Sequence, residues 1–488
     1  MVDERTPLKA VAPSEEGPTA VIRPKPAGKS IFALSILGTL SAASISLFSM
    51  YGQTLQHKLG FSQVQVNSVS ISSLLGMYLL MPVIGYLGDT YGSNYLALFS
   101  WIAFPASYSI ASGIFSTAAE WYRETGEALP RAAPEMAMCF FFIGASTSCM
   151  YYASLKASAH SMSVYYAENG KLQTYTPGYA IWGPVAAFGL SSLWQSQLLR
   201  AVFISGKNVN VAGIFLFFAG LYAVVCGVIF LSCRKAEAMA TELKKKAEAS
   251  ADCNCDGPGH EGATLKEFFT DKTAWLFLVC FVFIGGPFEM FQNNMGAILD
   301  TVTVENHEVP SFSTHVSLFA TFSTISRLVV GFSSEAMESH VSRPVLLSAI
   351  ALVAACIHLM VPSGIFTVFD NARYFSVVTI VNGFSYGSSF TLVPTIVTKV
   401  WGIANLGTIW GSFILALAVG SLGYGLLFAK VYDAASQVGV GAGARSQVCS
   451  GVHCYGLTFV ITGTGLAVAA SVVFFIWVFM WKKRGIHM

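Results

Sequence analysis

Charge is what this sequence has little of. Asp, Glu, Lys and Arg together make up 11% of its 488 residues, against about 25% in an ordinary soluble domain. A water-soluble chain of this length would split into two or three domains, each needing a charged surface. There is not enough charge to cover them, and with 54% of its residues hydrophobic the chain suits a bilayer as solvent. Other absences narrow the function. A net charge of +2, without a basic face, excludes nucleic acid as a partner. No cluster of His, Asp or Cys marks an enzyme, and no filter motif marks a channel. No cofactor is expected: the Gly-rich stretch from Gly411 to Gly425 has no strand before it and no Lys where a phosphate loop needs one. No metal is expected either, because Cys253 and Cys255 with His260 lack zinc-site spacing. No Asn-x-Ser/Thr acceptor occurs. Residues 1–29 are polar and Pro-rich without an early apolar core, so no signal peptide is expected there and the first span serves as its own insertion signal.

What is present is a series of apolar runs. A helix needs about 20 such residues to cross the hydrocarbon, and these runs are too long and unalternating for barrel strands. Twelve qualify: 31–51, 64–87, 95–115, 135–155, 174–199, 211–233, 273–299, 312–334, 344–362, 374–400, 406–429 and 455–481. Most of the 28 Lys and Arg then fall on one side: the N-terminal tail, Lys156, Lys171, the 234–272 segment, Arg343, Lys399 and Lys482-Lys483-Arg484. The positive-inside rule makes that side cytosolic, with both termini. Arg327 lies inside a span. The expected fold is an all-α integral membrane protein of twelve transmembrane helices in two six-helix bundles. A disordered cytosolic tail (1–30) precedes the N-terminal bundle (31–233). A cytosolic linker (234–272), the C-terminal bundle (273–482) and a short tail (483–488) follow. Six spans, a linker and six spans is the layout of a two-bundle transporter.

The halves carry related pieces. Gly85-Tyr86-Leu87-Gly88-Asp89 ends the second span and Gly331-Phe332-Ser333-Ser334-Glu335 ends the eighth. Ile181-Trp182-Gly183 starts the fifth and Ile409-Trp410-Gly411 the eleventh. Gly85-x-Leu87-x-Asp89-x-x-Gly92 resembles the signature between the second and third helices of the major facilitator superfamily. Thr90, Ser93 and Asn94 stand where that signature carries basic residues. Leu75-Gly76-Met77-Tyr78, Gly286-Pro287-Phe288-Glu289-Met290-Phe291 with Asn294-Met295-Gly296, Leu406-Gly407-Thr408-Ile409-Trp410-Gly411-Ser412 and Ala429-Lys430-Val431-Tyr432-Asp433 resemble the fungal monocarboxylate-transporter homologues, a group related to the nodulin-like transporters. The resemblance covers nearly the whole chain outside the tail and linker. It implies alternating access along a path lined by the first, fourth, seventh and tenth helices. It also implies a fungal internal membrane, the vacuolar one ahead of the plasma membrane.

Glu289, in the seventh span, is the first candidate for function. A charge at membrane depth costs at least about 2.5 kcal/mol on insertion. Pro287 removes a backbone donor beside it, and interrupted helices flank transporter binding sites. Asn293, with Gln292 and Gly296, shares its helical face. Proton coupling or substrate contact is expected, since desolvation favours the protonated carboxyl. The competing reading is a structural carboxyl that caps freed backbone groups or pairs with Arg327. Arg327 suits bidentate binding of a substrate carboxylate. Animal monocarboxylate transporters carry an Arg in this helix with Asp one turn earlier, where this chain has Ser323, and Pro after it, where this chain has Leu328. Ser49-Met50-Tyr51-Gly52-Gln53 replaces their acidic, Trp-containing motif. Lactate-type transport therefore does not carry over, and an Arg at the gate, paired with Glu335 or helix ends, weighs equally.

Asn382, on one face of the tenth span with Ser385 and Ser389, is expected to line the path, whereas Ser146, Thr147 and Ser148 are expected to pack helices. Asp89 and Glu335, with Gly85 and Gly331, are expected to gate. A carboxylate at a helix end can bind the N-terminus of a helix in the other bundle, holding one access state and releasing in the other. Cys449 and Cys454 suit a disulfide on the non-cytosolic side. The expected function is secondary active transport of a small solute, with a carboxylate and a proton as candidates, by a monomer in the bilayer of an intracellular membrane. The alternative is a sensor of the same fold that binds solute without moving it.

Overall fold

The computed structural model describes residues 20–22, 26–168, 171–205, 208–250, 263–303, 312–338, 340–366, 374–438 and 451–485. The apolar runs fold as helices, which satisfy every backbone group within one segment. The first span comprises Pro26–Ser41, Ser44–Leu47 and Phe48–Leu59, and the second Gln63–Leu74, Leu75–Leu79 and Met81–Tyr91. The third to sixth are Ser93–Thr125, Ala132–Met162, Tyr179–Val202 and Val211–Ser250. The seventh to tenth are Lys272–Thr303, Phe312–Ala336, Arg343–Met360 and Phe375–Trp401. The eleventh is Leu406–Val438, and the twelfth Gly456–Phe475 is prolonged to Arg484 by tighter and wider turns.

Among the described residues nine helices are long and apolar enough to cross a membrane, and the bent second span makes a tenth. The fifth and tenth fall short because Gly, Ser and Thr dilute them. Their polar side chains, Ser191, Thr379, Ser385, Ser388, Ser389, Thr391 and Thr395 among them, are buried between helices, where small hydroxyls let backbones approach. The fold is the expected twelve-helix bundle.

Helix interruption falls elsewhere than the sequence suggests. Pro287 predicts a break in the seventh span, yet that helix runs unbroken through it. The helix packs closely beside it: a Cβ on Gly286 would lie 2.9 Å from the Gly420 backbone of the eleventh span, so two helices meet main chain to main chain next to the proline. It is the second span that bends, by 41°, between the π turn Leu75–Leu79 and Pro82, whose ring cannot continue the preceding ladder.

Small elements cover the face where the described chain ends and the central linker meet, here the linker face. Strands β1 (Ala20–Ile22), β2 (Val164–Glu168) and β3 (Lys171–Tyr175) form an antiparallel sheet in the order β1-β2-β3. β1 corrects the expectation of a wholly disordered tail: its β-favouring Val21 and Ile22 pair with the free edge of the hairpin between the fourth and fifth spans. A second pair, β4 (Ile204–Ser205) with β5 (Asn208–Val209), sits at the far face. The linker begins as a continuation of the sixth span to Ser250 and ends in the helix Leu265–Thr270, which Thr264 and Glu267 start with a capping box. Cys253, Cys255, His260 and Cys449 lie outside the described residues. Cys454 is buried and takes part in a disulfide.

Candidate functional site

Two seams join the halves at the linker face. In one, the second span meets the start of the eleventh. A Cβ on Gly85 would stand 2.1 Å from the Gly407 carbonyl oxygen, and one on Gly411 2.6 Å from that of Met81, so glycine alone permits this approach. The approach sets Asp89 on the N-terminus of the eleventh span. Its carboxylate accepts from Gly407 N at 3.2 Å, Thr408 N at 2.7 Å and Thr408 Oγ1 at 2.9 Å. From its own half it accepts the Tyr152 hydroxyl and pairs with Lys156 Nζ at 3.3 Å. Lys156, expected in a loop, instead lies buried within the fourth span. No helix stop follows residue 155, and Gly88 O and Asp89 both receive its ammonium. A carboxylate on a helix N-terminus contributes about 0.3–2 kcal/mol.

The second seam is the pseudo-symmetric counterpart and is built differently. Gly331 of the eighth span faces the Trp182 ring of the fifth, which a Cβ would meet at 2.6 Å. Trp182 Nε1 donates to Glu335 Oε2 at 2.9 Å. Beyond it, Glu338 pairs with Arg343 at 3.3 Å and Lys399 at 2.8 Å, and Lys399 lies over the Tyr175 ring of β3 at 4.6 Å. Burial alone would raise Glu338, but the Arg343 and Lys399 charges outweigh it and hold its carboxyl below the usual range. One carboxylate thus grips main-chain amides and the other an indole. Trp182→Phe keeps the ring on Gly331 but removes the charge-assisted bond to Glu335. It is expected to lower the closed population at this face about tenfold. The distance between spin labels on the exposed Tyr91 and Met337, in a background with Cys253, Cys255 and Cys356 replaced by Ser, reads this.

Above both seams, between the halves, sits a buried cluster. Glu289 Oε1 accepts the Tyr386 hydroxyl of the tenth span at 2.9 Å. The Arg327 guanidinium lies 5.9 Å from the same Tyr386 ring and 5.4 Å from Phe390. Its Nη1 donates to Val185 O of the fifth span at 2.9 Å, and its Nε has no partner. Gly189 makes room, for a Cβ there would lie 3.0 Å from Arg327 Cδ. Glu289 and Arg327, each 6% exposed, form no ion pair with each other or with Glu335 among the described residues. They share a tyrosine. Asn293, one turn from Glu289, is exposed and reaches Ser421 Oγ at 3.2 Å. Asn382 goes elsewhere: fully buried, its Oδ1 accepts from His358 Nε2 (3.0 Å), tying the tenth span to the ninth, and its Nδ2 donates to Val378 O (2.8 Å). Ser148 donates to Met77 O at 2.6 Å, the helix packing expected of that row.

Among the described residues, every hydrogen bond between the halves lies at the level of Arg327 or nearer the linker face. Gln292 and Asn293, towards the far face, are exposed. The arrangement is closed at one face, with two opposite charges buried just above the closure. The sequence reading passes over Tyr386, although it stands one turn past Asn382 on the polar row.

A family model described as Major Facilitator Superfamily matches residues 34–425. The chain is 92% identical to Probable transporter MCH1 of Yarrowia lipolytica over 100% of both chains. It is 31% identical to Probable transporter MCH1 of Debaryomyces hansenii over 93% of both. Among solved structures it is similar in fold to a bacterial homologue of iron transporter ferroportin in outward-facing state, with TM-score 0.62 and 12% identity over 93% of this chain and 100% of that one. It is likewise similar to the proton:xylose symporter XylE, with TM-score 0.61 and 13% identity over 93% and 95%.

Proposed function

The chain belongs to the major facilitator superfamily and is a secondary transporter rather than an enzyme, and from that premise we propose that it moves a small carboxylate coupled to a proton, as a monomer. The observation that carries the reading is the pair of buried, opposite charges meeting on Tyr386 without an ion pair. A guanidinium with a free Nε and no carboxylate partner suits a planar anion, which it can bind bidentately. A buried carboxyl beside it can take up the proton whose charge offsets that anion. Asp89 and Glu335, with Gly85 and Gly331, serve as the gate that closes one face while the site is reached from the other. The Lys and Arg bias favours a cytosolic linker face and cytosolic termini, and the fungal resemblance favours the vacuolar membrane.

Uptake by purified protein in liposomes tests this, using a panel of small mono- and dicarboxylates with a neutral sugar as control. Wild-type protein takes up at least one carboxylate, and Arg327→Gln loses that uptake by about 30-fold or more, as truncating a buried charge partner does. Uptake of the sugar alone, or full carboxylate uptake by the variant, overturns the reading. Metabolite comparison of organelles isolated with and without the protein then names the solute.

A further inference from the structure

Both ends of the central linker grip the first seam, one on each side. At the start of the linker, Glu237 lies on the continuation of the sixth span. Its Oε1 accepts from Ser93 N, from Ser93 Oγ at 2.8 Å and from Asn94 N at 3.3 Å. These groups form the N-terminus of the third span, joined to Asp89 by the turn through Gly92. Gly92 has φ 105, and a Cβ on it would stand 2.9 Å from the Glu237 carboxylate, so the turn and the grip both depend on glycine. At the end of the linker, Ala263 N donates to Trp401 O at 2.8 Å, and Asn405 Nδ2 donates to Ala263 O at 2.9 Å. The Phe268 ring packs on Trp401 at 5.3 Å. Residues 401–405 lead directly into Gly407 and Thr408, the donors to Asp89. The two segments that must part when this seam opens are therefore each fastened to one end of the linker, the Asp89 side to its start and the eleventh-span side to its end.

We propose that Glu237 and Asn405 are positioning residues of the gate: Glu237 holds the turn that follows Asp89, and Asn405 holds the start of the eleventh span, so that the carboxylate and its donors meet in register. The proposal rests on the reading of Asp89 as a gate residue. Among the described residues neither side chain forms a hydrogen bond or ion pair with the Glu289–Arg327 cluster or with the partners of Asp89. Each acts through backbone, Glu237 by fixing the turn that follows Asp89 and Asn405 by fixing the loop that precedes its donors. A substituent that loosens either grip lets one side of the seam drift, so the amides and the carboxylate no longer meet.

The spin-label pair at Tyr91 and Met337 tests it on the full-length protein. Asp89→Asn serves as reference, and folding is checked by monodisperse elution from a sizing column. Glu237→Gln and Asn405→Ala are each expected to lower the closed population about tenfold, the effect of one lost cap of ordinary strength. The far-face affinity for a transported carboxylate per open site should be unchanged. The double variant should do no more than Asp89→Asn, because both grips act through that contact. If Asp89→Asn opens the face and both linker variants match wild type, the clamp is wrong and the gate stands. If none of the three opens it, the gate reading fails with it. Asn405→Ala sits in a loop, so it remains informative where Glu237→Gln impairs folding.

Discussion

Glu289→Gln is expected to reduce pH-driven uptake to the level of empty liposomes while the protein still folds and inserts. The amide oxygen of Gln can accept the Tyr386 hydroxyl as Glu289 Oε1 does at 2.9 Å, and the two side chains have the same volume. A merely structural carboxyl would therefore tolerate the change. What Gln cannot do is gain and lose a proton, so it resembles a carboxyl that is permanently neutral. Loss of the pH-driven component, with exchange of solute for solute retained, is the result that a proton-coupling role requires. Wild-type flux under an imposed pH gradient would remove Glu289 from the coupling mechanism and leave it the anchor for Tyr386.

Gly85→Ala is the smallest substitution with a large expected effect. Alanine is about 1 kcal/mol better than glycine in a helix interior, so the second span itself gains stability. Its single methyl would nevertheless stand 2.1 Å from Gly407 O and 2.2 Å from Gly407 C. Both are main-chain atoms, and no rotamer change relieves the clash. The seam must open, which separates Asp89 from its amides. Overpacking of this kind costs about 1–3 kcal/mol. The closed state should lose about 10- to 100-fold in population, and uptake should fall with it. Lengthening of the Tyr91–Met337 label distance checks this. Gly113→Ala, a helical glycine with open space around it, should change neither measurement. An unchanged distance in Gly85→Ala would mean that the halves are not joined through this contact.

The span count and the two-bundle layout were legible because they follow from one quantity, apolar length, which hydrocarbon enforces segment by segment. The fifth and tenth spans show the limit of that signal. Helices that bury their small polar residues between neighbours need little hydropathy, so apolar length marks them only faintly. The placement of Asp89 on a helix of the other half was readable too, because a carboxylate at a helix end has few alternatives and the Gly85 spacing announces a close approach. Glu335 shows where such reasoning stops: the same spacing leads to an indole, since Trp182 turns across the seam while Trp410 turns into its own half against Phe281, Phe390 and Phe413. The sharing of Tyr386 by Glu289 and Arg327 depends on the relative rotation of three helices, which sequence spacing within any one of them does not encode. Pro287 misled for a related reason. Local chemistry weakens the helix there, and close packing on the Gly420 backbone, more than a hundred residues away, holds it straight in a way its own sequence does not encode.

Because Asp89 is held across the seam largely by peptide N–H groups, half of that contact is written in no side chain. Substitution at position 408 can remove a hydroxyl but leaves both amides in place, and only proline deletes one. Position 408 can therefore drift in sequence without losing the amides, provided Gly407 and Gly411 keep the approach close, while the Trp182 contact fails with its one indole. Over evolutionary time the two seams should therefore wear differently: one tolerates variation at position 408 while its glycines stay fixed by the close approach, and the other is tuned by replacing a single ring, so closure at this face can be reset without disturbing the site above it.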